Sequence, residues 1–245
     1  STAYATNNET DFATVATTRM VSRYEMMFNT PAEPILTLNG TYPAGELYVT
    51  ITRDENWNGE TTTFAGRLHT TEEYTDKQGR VVLRRSFNLN GTTPELLSTY
   101  YVYDGLGRLS GVLPPETDPD LTGSVPHDAM ALFPYAFGYR YDGRGRVIEK
   151  LVPGRNPENY VYNPMGWVVY HQDGRQASET VPGFTPGQYH TFYKYDAHGR
   201  VIMKGVERNR VWTRDQIQAH VDTQPPYWEE RSTAEGNMHG YTNRS

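Results

Sequence analysis

Apolar and polar residues alternate along this chain in short runs broken by turn residues. Over residues 46–53, Leu47, Val49 and Ile51 alternate with Tyr48, Thr50 and Thr52, the period-two pattern of a half-buried strand. Turn signals precede it at Asn39-Gly40 and Pro43-Ala44-Gly45. Residues 12–28 follow neither the strand nor the helix period, but a first half rich in Thr and Val points to strands. The pattern is most complete over 139–154. There Tyr139 and Tyr141 share one face of an extended chain, Asp142 to Gly145 supply a turn, and residues 146–152 return as a β-branched partner strand. Aspartate suits the first position of such a turn because its carboxylate accepts from backbone N–H groups two residues on. Glycine suits the closing, left-handed position.

One helix is predicted, over 214–221. Thr213 is its N-cap, Gln216 completes a capping box, Trp212 staples onto Ile217, and Ile217 with Val221 forms an apolar edge to lie on a sheet. Asp128 caps a shorter helical turn over 129–132, and 113–127 and 177–188 read as exposed loops.

The turn recurs. Tyr74-Thr75-Asp76-Lys77-Gln78-Gly79-Arg80 is the first unit, with Thr75 inserted between Tyr and Asp. Tyr103-Asp104 with Gly107-Arg108, and Tyr141-Asp142 with Gly145-Arg146, are the second and third. Tyr162-Asn163 with Gly166 and Trp167 is a degenerate fourth, in which Asn keeps the turn chemistry. Tyr195-Asp196 with Gly199-Arg200 is the fifth. The Asp or Asn positions 76, 104, 142, 163 and 196 give steps of 28, 38, 21 and 33, a spacing of stacked supersecondary units with insertions. The expected organisation is a β preface over 1–60 and one continuous repeat region over 61–245 that carries the short helix.

Composition agrees with an all-β chain. Nineteen Tyr, 22 Gly and 16 Pro beside only 36% hydrophobic residues suit many short strands better than long helices. A net charge of −6 without a basic stripe argues against nucleic acid as a partner. No cysteine is present, which excludes disulfides and thiolate metal sites. No apolar run approaches the length of a membrane span, and Ser1-Thr2-Ala3 opens no signal peptide.

The motif Tyr-Asp-x-x-Gly-Arg-hydrophobic, three times complete and twice varied, resembles the RHS or YD repeat of large bacterial surface and toxin-related proteins. Upstream, Asp54-Glu55-Asn56-Trp57 and His69-Thr70-Thr71-Glu72 are similar to the uncharacterised domain that precedes these repeats, as is the stretch ending Val112-Leu113-Pro114-Pro115-Glu116. The resemblance covers about three quarters of the chain and is least secure over the first 45 residues. It implies a strongly twisted, curved antiparallel sheet of successive hairpins, forming part of a hollow shell on an exported or cell-surface protein. It also implies that residues 240–245 stop within a longer chain whose next repeats are the main partner. The self-cleavage signature and toxin segment of some members are not found.

No residue pattern points to catalysis. The seven His show no metal-ligand pairing, one carboxylate per turn is far short of a calcium site, and Gly105-Leu106-Gly107 and Gly143-Arg144-Gly145 lack the Lys-Ser/Thr and helix of a phosphate loop. There is no nucleophile elbow, and Glu72 and Glu73 point to opposite faces of a strand. Sequons at Asn8, Asn39, Asn90 and Asn243 carry little weight in a bacterial protein. The repeated Arg80, Arg108, Arg146 and Arg200 are expected over a Tyr or beside their own turn carboxylates. The Tyr residues are expected to pack cross-strand with their hydroxyls in water. The function read from these residues is non-enzymatic and cofactor-free: a structural or interaction segment. A carbohydrate-binding surface of exposed Tyr and Trp is the alternative, and a hydrolase with carboxylates gathered from distant positions is a weaker third. Open sheet edges are expected either to dimerise or to be covered by the 213–221 helix and the preface.

Overall fold

The computed structural model describes residues 1–7, 20–29, 33–60, 64–120, 135–178, 189–208, 212–234 and 240–242. The capped turn expected over 129–132, residues 121–127 of the first expected loop and 179–188 of the second, the first half of 12–28, and the sequons at Asn8 and Asn243 lie outside the described residues. Among those described, the strands are β1 (Thr2–Thr6), β2 (Ser22–Asn29), β3 (Glu33–Thr41), β4 (Tyr48–Arg53), β5 (Thr70–Thr75), β6 (Val81–Asn90), β7 (Thr93–Tyr103), β8 (Leu109–Leu113), β9 (Phe137–Tyr141), β10 (Val147–Leu151), β11 (Glu158–Tyr162), β12 (Val168–Gln172), β13 (His190–Tyr195) and β14 (Val201–Glu207). Two short helices, α1 (Gly174–Ser178) and α2 (Arg214–Asp222), join them, so the chain is all-β. The 12-stranded sheet runs in the order β1-β4-β5-β6-β7-β8-β9-β10-β11-β12-β13-β14, and every pairing described is antiparallel. The expected chain order holds from β4 onward. It fails before, because β2 and β3 form a separate two-stranded sheet and β1 pairs with β4. Two compact units result, Ser1–Tyr139 and Arg140–Ser245.

In the first unit one row of side chains crosses five strands. Val49 faces Tyr74, Tyr74 faces Leu83, Leu83 faces Tyr100 and Tyr100 faces Leu113. All five are at most 2% exposed. Each Leu or Val so buried contributes about 1.5–3 kcal/mol. The next row starts at Ile51 and is polar beyond it: Glu72, Arg85 and Ser98. Its charges are compensated. Arg67 Nη2 donates to Glu72 Oε1 (3.0 Å) and the Tyr74 hydroxyl donates to Glu72 Oε2 (2.6 Å). Arg85 donates to Ser98 Oγ (3.0 Å) and Asp120 Oδ1 (2.7 Å), and the Tyr100 hydroxyl donates to the same Asp120 oxygen (2.6 Å). The β2–β3 pair also packs here: the Tyr24 ring meets Tyr100 edge-on at 5.3 Å, and its hydroxyl donates to the Pro119 carbonyl. Burial, with the Asp120 charge behind it, raises the Tyr24 hydroxyl to about 12 and pushes Tyr100 up as well.

The described part of the segment expected as an exposed loop, 113–120, is therefore not one. Leu113 is fully buried, Thr117 is 8% exposed in the 3₁₀ turn Pro115–Thr117, and Asp120 anchors the segment to β6 and β7. Its Pro and Asp content looks solvent-facing only because the guanidinium that receives Asp120 is 35 residues away.

In the second unit α2 carries the capping box expected of Thr213 and Gln216, and Ile217 is fully buried. The helix rests on an interior strand, not on an edge. Gln218 donates to the Tyr162 carbonyl (2.6 Å) and accepts from its N–H (3.2 Å), while Arg214 donates to the Tyr160 carbonyl (3.0 Å). Trp212 lies edge-on against His220, at 5.1 Å. Helix α1 was not expected. Asp173 and Gln176 cap it reciprocally, and a side chain at Gly174 would meet the Asn156 carbonyl at 2.4 Å.

The Arg85–Asp120 pair tests this reading of the first unit. Asp120→Ala leaves the Arg85 guanidinium buried without its carboxylate, and urea unfolding should show a loss of about 3–5 kcal/mol. A loss below about 1 kcal/mol would mean that the pair does not hold the segment.

Candidate functional site: the turn lattice

The five motif copies form one construction. In each, the Asp or Asn N–H donates to the carbonyl four residues on, and the glycine N–H donates back to the Asp or Asn carbonyl, all at 2.9–3.0 Å. This is a type I turn closed by a left-handed residue. Gly79, Gly107, Gly145, Gly166 and Gly199 have φ of 78°, 77°, 79°, 92° and 75°, as the sequence requires.

The carboxylate locks the turn from inside. Asp142 Oδ1 accepts from the N–H groups of Arg144 and Arg146, both at 2.9 Å, and Oδ2 accepts Arg146 Nε at 2.7 Å. Asp76 with Arg80, Asp104 with Arg108 and Asp196 with Arg200 repeat the arrangement. Burial by itself would raise the Asp104 and Asp142 carboxyls. The N–H groups and guanidinium aimed at each outweigh it and hold both below the usual range. For Asp196 the Arg200 side-chain bond leads, and the carboxyl is lowered to about 2.

Within each unit a second set of contacts joins a turn to the one before. The Tyr103 hydroxyl donates to the Val81 carbonyl (2.9 Å), Tyr162 to Val147 (2.9 Å) and Tyr195 to Val168 (2.7 Å). In each case the acceptor directly follows the Arg or Trp of the preceding copy. The hydroxyls are therefore bonded to protein, against the expectation that they point into water. The preceding arginine covers the ring: Arg80 lies 4.9 Å from the Tyr103 centroid and Arg146 4.3 Å from that of Tyr162. Trp167 plays the arginine's part in the fourth copy. Its ring lies 5.1 Å from Tyr195, and its edge sits 2.9 Å from where a Cβ on Gly199 would be.

Tyr74 is set apart by the inserted Thr75. One place earlier on its strand than the other motif tyrosines, Tyr74 points to the buried face, fully enclosed and bonded to Glu72, while Tyr103, Tyr162 and Tyr195 are half-buried on the other. Tyr141 is half-buried beside Asp142. Asn163 uses Oδ1 for the Trp167 N–H (3.0 Å) and Nδ2 for the Tyr227 carbonyl (3.3 Å), a second bond that Asp could not make.

No family model matches the chain, and no curated protein matches it.

The second unit also holds a cleft of about 830 Å³ that the motif did not announce. Tyr170 and Phe192 line it from the sheet, and Tyr227, Trp228 and Glu229 from the segment after α2. The Glu229 carboxylate is occupied on both oxygens, by Lys194 Nζ at 3.1 Å and by the Thr242 hydroxyl at 2.6 Å. Those two bonds hold the segment after α2 in place. Among the described residues, no group of three His, Asp or Glu is arranged to hold a metal ion. The cleft residues are up to 66 positions apart, and no local pattern marks them.

Two measurements check the lattice. Gly145→Val should cost about 1–2 kcal/mol from its left-handed backbone alone. Gly199→Val should cost more, because Trp167 must also move, and Gly143→Ala should change little, since its Cβ would meet nothing within 4 Å. Equal losses at all three would contradict the construction. Acid unfolding gives the second. The carboxyls of Asp104, Asp142 and Asp196 have folded pKa values below their unfolded ones, so their contribution is complete above about pH 4 and lost as pH falls through the folded values. Asp142→Asn should remove part of that dependence. An unchanged acid limb would show that the carboxylate is not tuned as described.

Proposed function

We propose that this chain is a non-enzymatic structural segment of an exported or cell-surface protein of the RHS or YD-repeat type, forming a stretch of β-sheet wall. The observation that carries the reading is the joint between copies: the hydroxyls of Tyr103, Tyr162 and Tyr195 each close on the preceding copy's backbone, under that copy's Arg or Trp. Residues spent in this way make neighbours of successive hairpins and leave no side chain of the motif free for chemistry. Such a lattice extends by repetition, so further repeats of the same longer chain are the natural partner. The start of β14, where Val201 is 54% exposed and the side chain of the preceding Arg200 is 69% exposed, fits the same kind of joint.

A carbohydrate-binding surface is the second reading. The motif tyrosines speak against it, being half-buried with their hydroxyls engaged. The aromatic-lined cleft of the second unit speaks for it, since rings set beside Lys194, His220 and Gln224 suit a ligand with an apolar face and hydroxyl edges.

Adding several further repeat units after Ser245 tests the scaffold reading. The thermal midpoint of the whole should rise, because each unit gives its neighbour a face to bury. Added units that melt separately, with the original midpoint unmoved, would defeat it. A screen of glycoside, ester and peptide substrates should give no turnover, and activity abolished by changing one carboxylate would also defeat it.

A further inference from the structure

The first strand presents a self-complementary edge. Among the described residues β1 has a ladder partner on one side only, β4. The hydrogen-bond parity is set at its start: Ser1 N donates to the Arg53 carbonyl (3.0 Å) and Arg53 N donates to the Ser1 carbonyl (2.9 Å). Bonded pairs alternate along an antiparallel ladder, so Ala3 and Ala5 also turn their backbone groups towards β4. Asn7, whose N–H donates to the Leu47 carbonyl (3.2 Å), keeps the same phase. The N–H and C=O of Thr2 and Tyr4 therefore point away from β4.

The strand reads Thr2-Ala3-Tyr4-Ala5-Thr6, the same in both directions about Tyr4. It carries no charge and no proline, the usual devices that keep an edge from pairing. By contrast β14 carries Lys204 and Glu207. Side chains agree with the backbone. Tyr4 is 82% exposed and Tyr48 62%, and both lie on one face, because Tyr4 faces Thr50 while Tyr48 faces Thr6. An aromatic so exposed on an uncharged edge is spare contact surface.

We propose that β1 pairs with β1 of a second copy of this chain, antiparallel and two-fold about Tyr4. A two-fold axis there makes Tyr4 exchange both backbone bonds with Tyr4 of the second copy, and puts Thr2 opposite Thr6 and Ala3 opposite Ala5. Every position then meets its own kind, as an isologous interface requires. The inference rests on edge chemistry alone and stands or falls separately from the repeat-scaffold reading.

Analytical ultracentrifugation of the 245-residue chain across a concentration series provides the test. A monomer–dimer equilibrium is expected. Tyr4→Lys and Tyr4→Glu should each weaken it about tenfold, since like charges then face each other across the axis. An equal mixture of the two should restore the dimer as a mixed pair, which only the Tyr4-to-Tyr4 register explains. Tyr4→Pro removes an N–H that points outward, so it should abolish dimerisation while the thermal midpoint of the monomer holds. A chain that stays monomeric throughout, a dimer indifferent to all three variants, or a mixture that fails to recover would each overturn the proposal.

Discussion

Everything in this fold depends on a turn that is closed from within. A hairpin of two short strands is marginal in water, so its geometry must be settled locally before neighbours can add to it. Here a carboxylate accepts from the N–H groups two and four residues on and from the guanidinium that follows, while glycine takes the left-handed position. Just beyond that closure the returning strand carries one extra residue, Val82, Ser110, Val169 or Ile202, where the register shifts opposite the residues that precede Asp76, Asp104, Asn163 and Asp196. The strand leading into the turn skips no residue, so the residue preceding the Asp or Asn lies on one face and the residue before that on the other. Which side chains can reach the next copy is decided at this point.

The turn chemistry was legible because it is local. Asp at the first position and Gly at the fourth constrain the same few dihedrals wherever they occur, so positive φ at five glycines follows from spacing alone. The α2 cap is legible for the same reason, with Thr213 and Gln216 three residues apart. The joint between copies was not. A tyrosine that donates to a carbonyl 22 residues earlier looks identical, in sequence, to one whose hydroxyl is in water. Trp167 looked like a departure from the motif, although its ring covers the next tyrosine and glycine as an arginine does in other copies. Tyr74 looked like a member, although one inserted threonine moves it to the opposite face.

The buried charges of the first unit were the least legible feature of all. Glu72 was read as half of an acidic pair on a strand, and Arg85 and Asp120 were not singled out. Nothing near Glu72 in sequence says that it will be 1% exposed, and nothing near Arg85 says that its carboxylate will come from a Pro-rich segment 35 residues on. Burial disfavours the Arg85 charge, and the Asp120 carboxylate together with Tyr74, Tyr100 and Glu72 more than offsets it, so the guanidinium is held more firmly protonated than in water. Two charges so placed contribute little net stability compared with apolar residues of the same volume, yet either alone would be costly. Their value has to be sought elsewhere.

Register is where it lies. Alternation of faces forbids a one-residue slip between strands, but a two-residue slip keeps every side chain on its own face. Moving β6 by two against β5 would place Glu72 opposite Leu83 or opposite Phe87 instead of Arg85. The apolar row would tolerate that exchange at modest cost, since Val, Leu and Phe replace one another across a sheet. The charged row would not, because a buried carboxylate would lose its polar surroundings and Arg85 would lose Ser98 and Asp120 together. The turn at Asp76–Gly79 fixes the same register from the hairpin's closed end. A local lock and a long-range one thus agree on a single pairing, and among the described residues neither acts on the outer edge of β1.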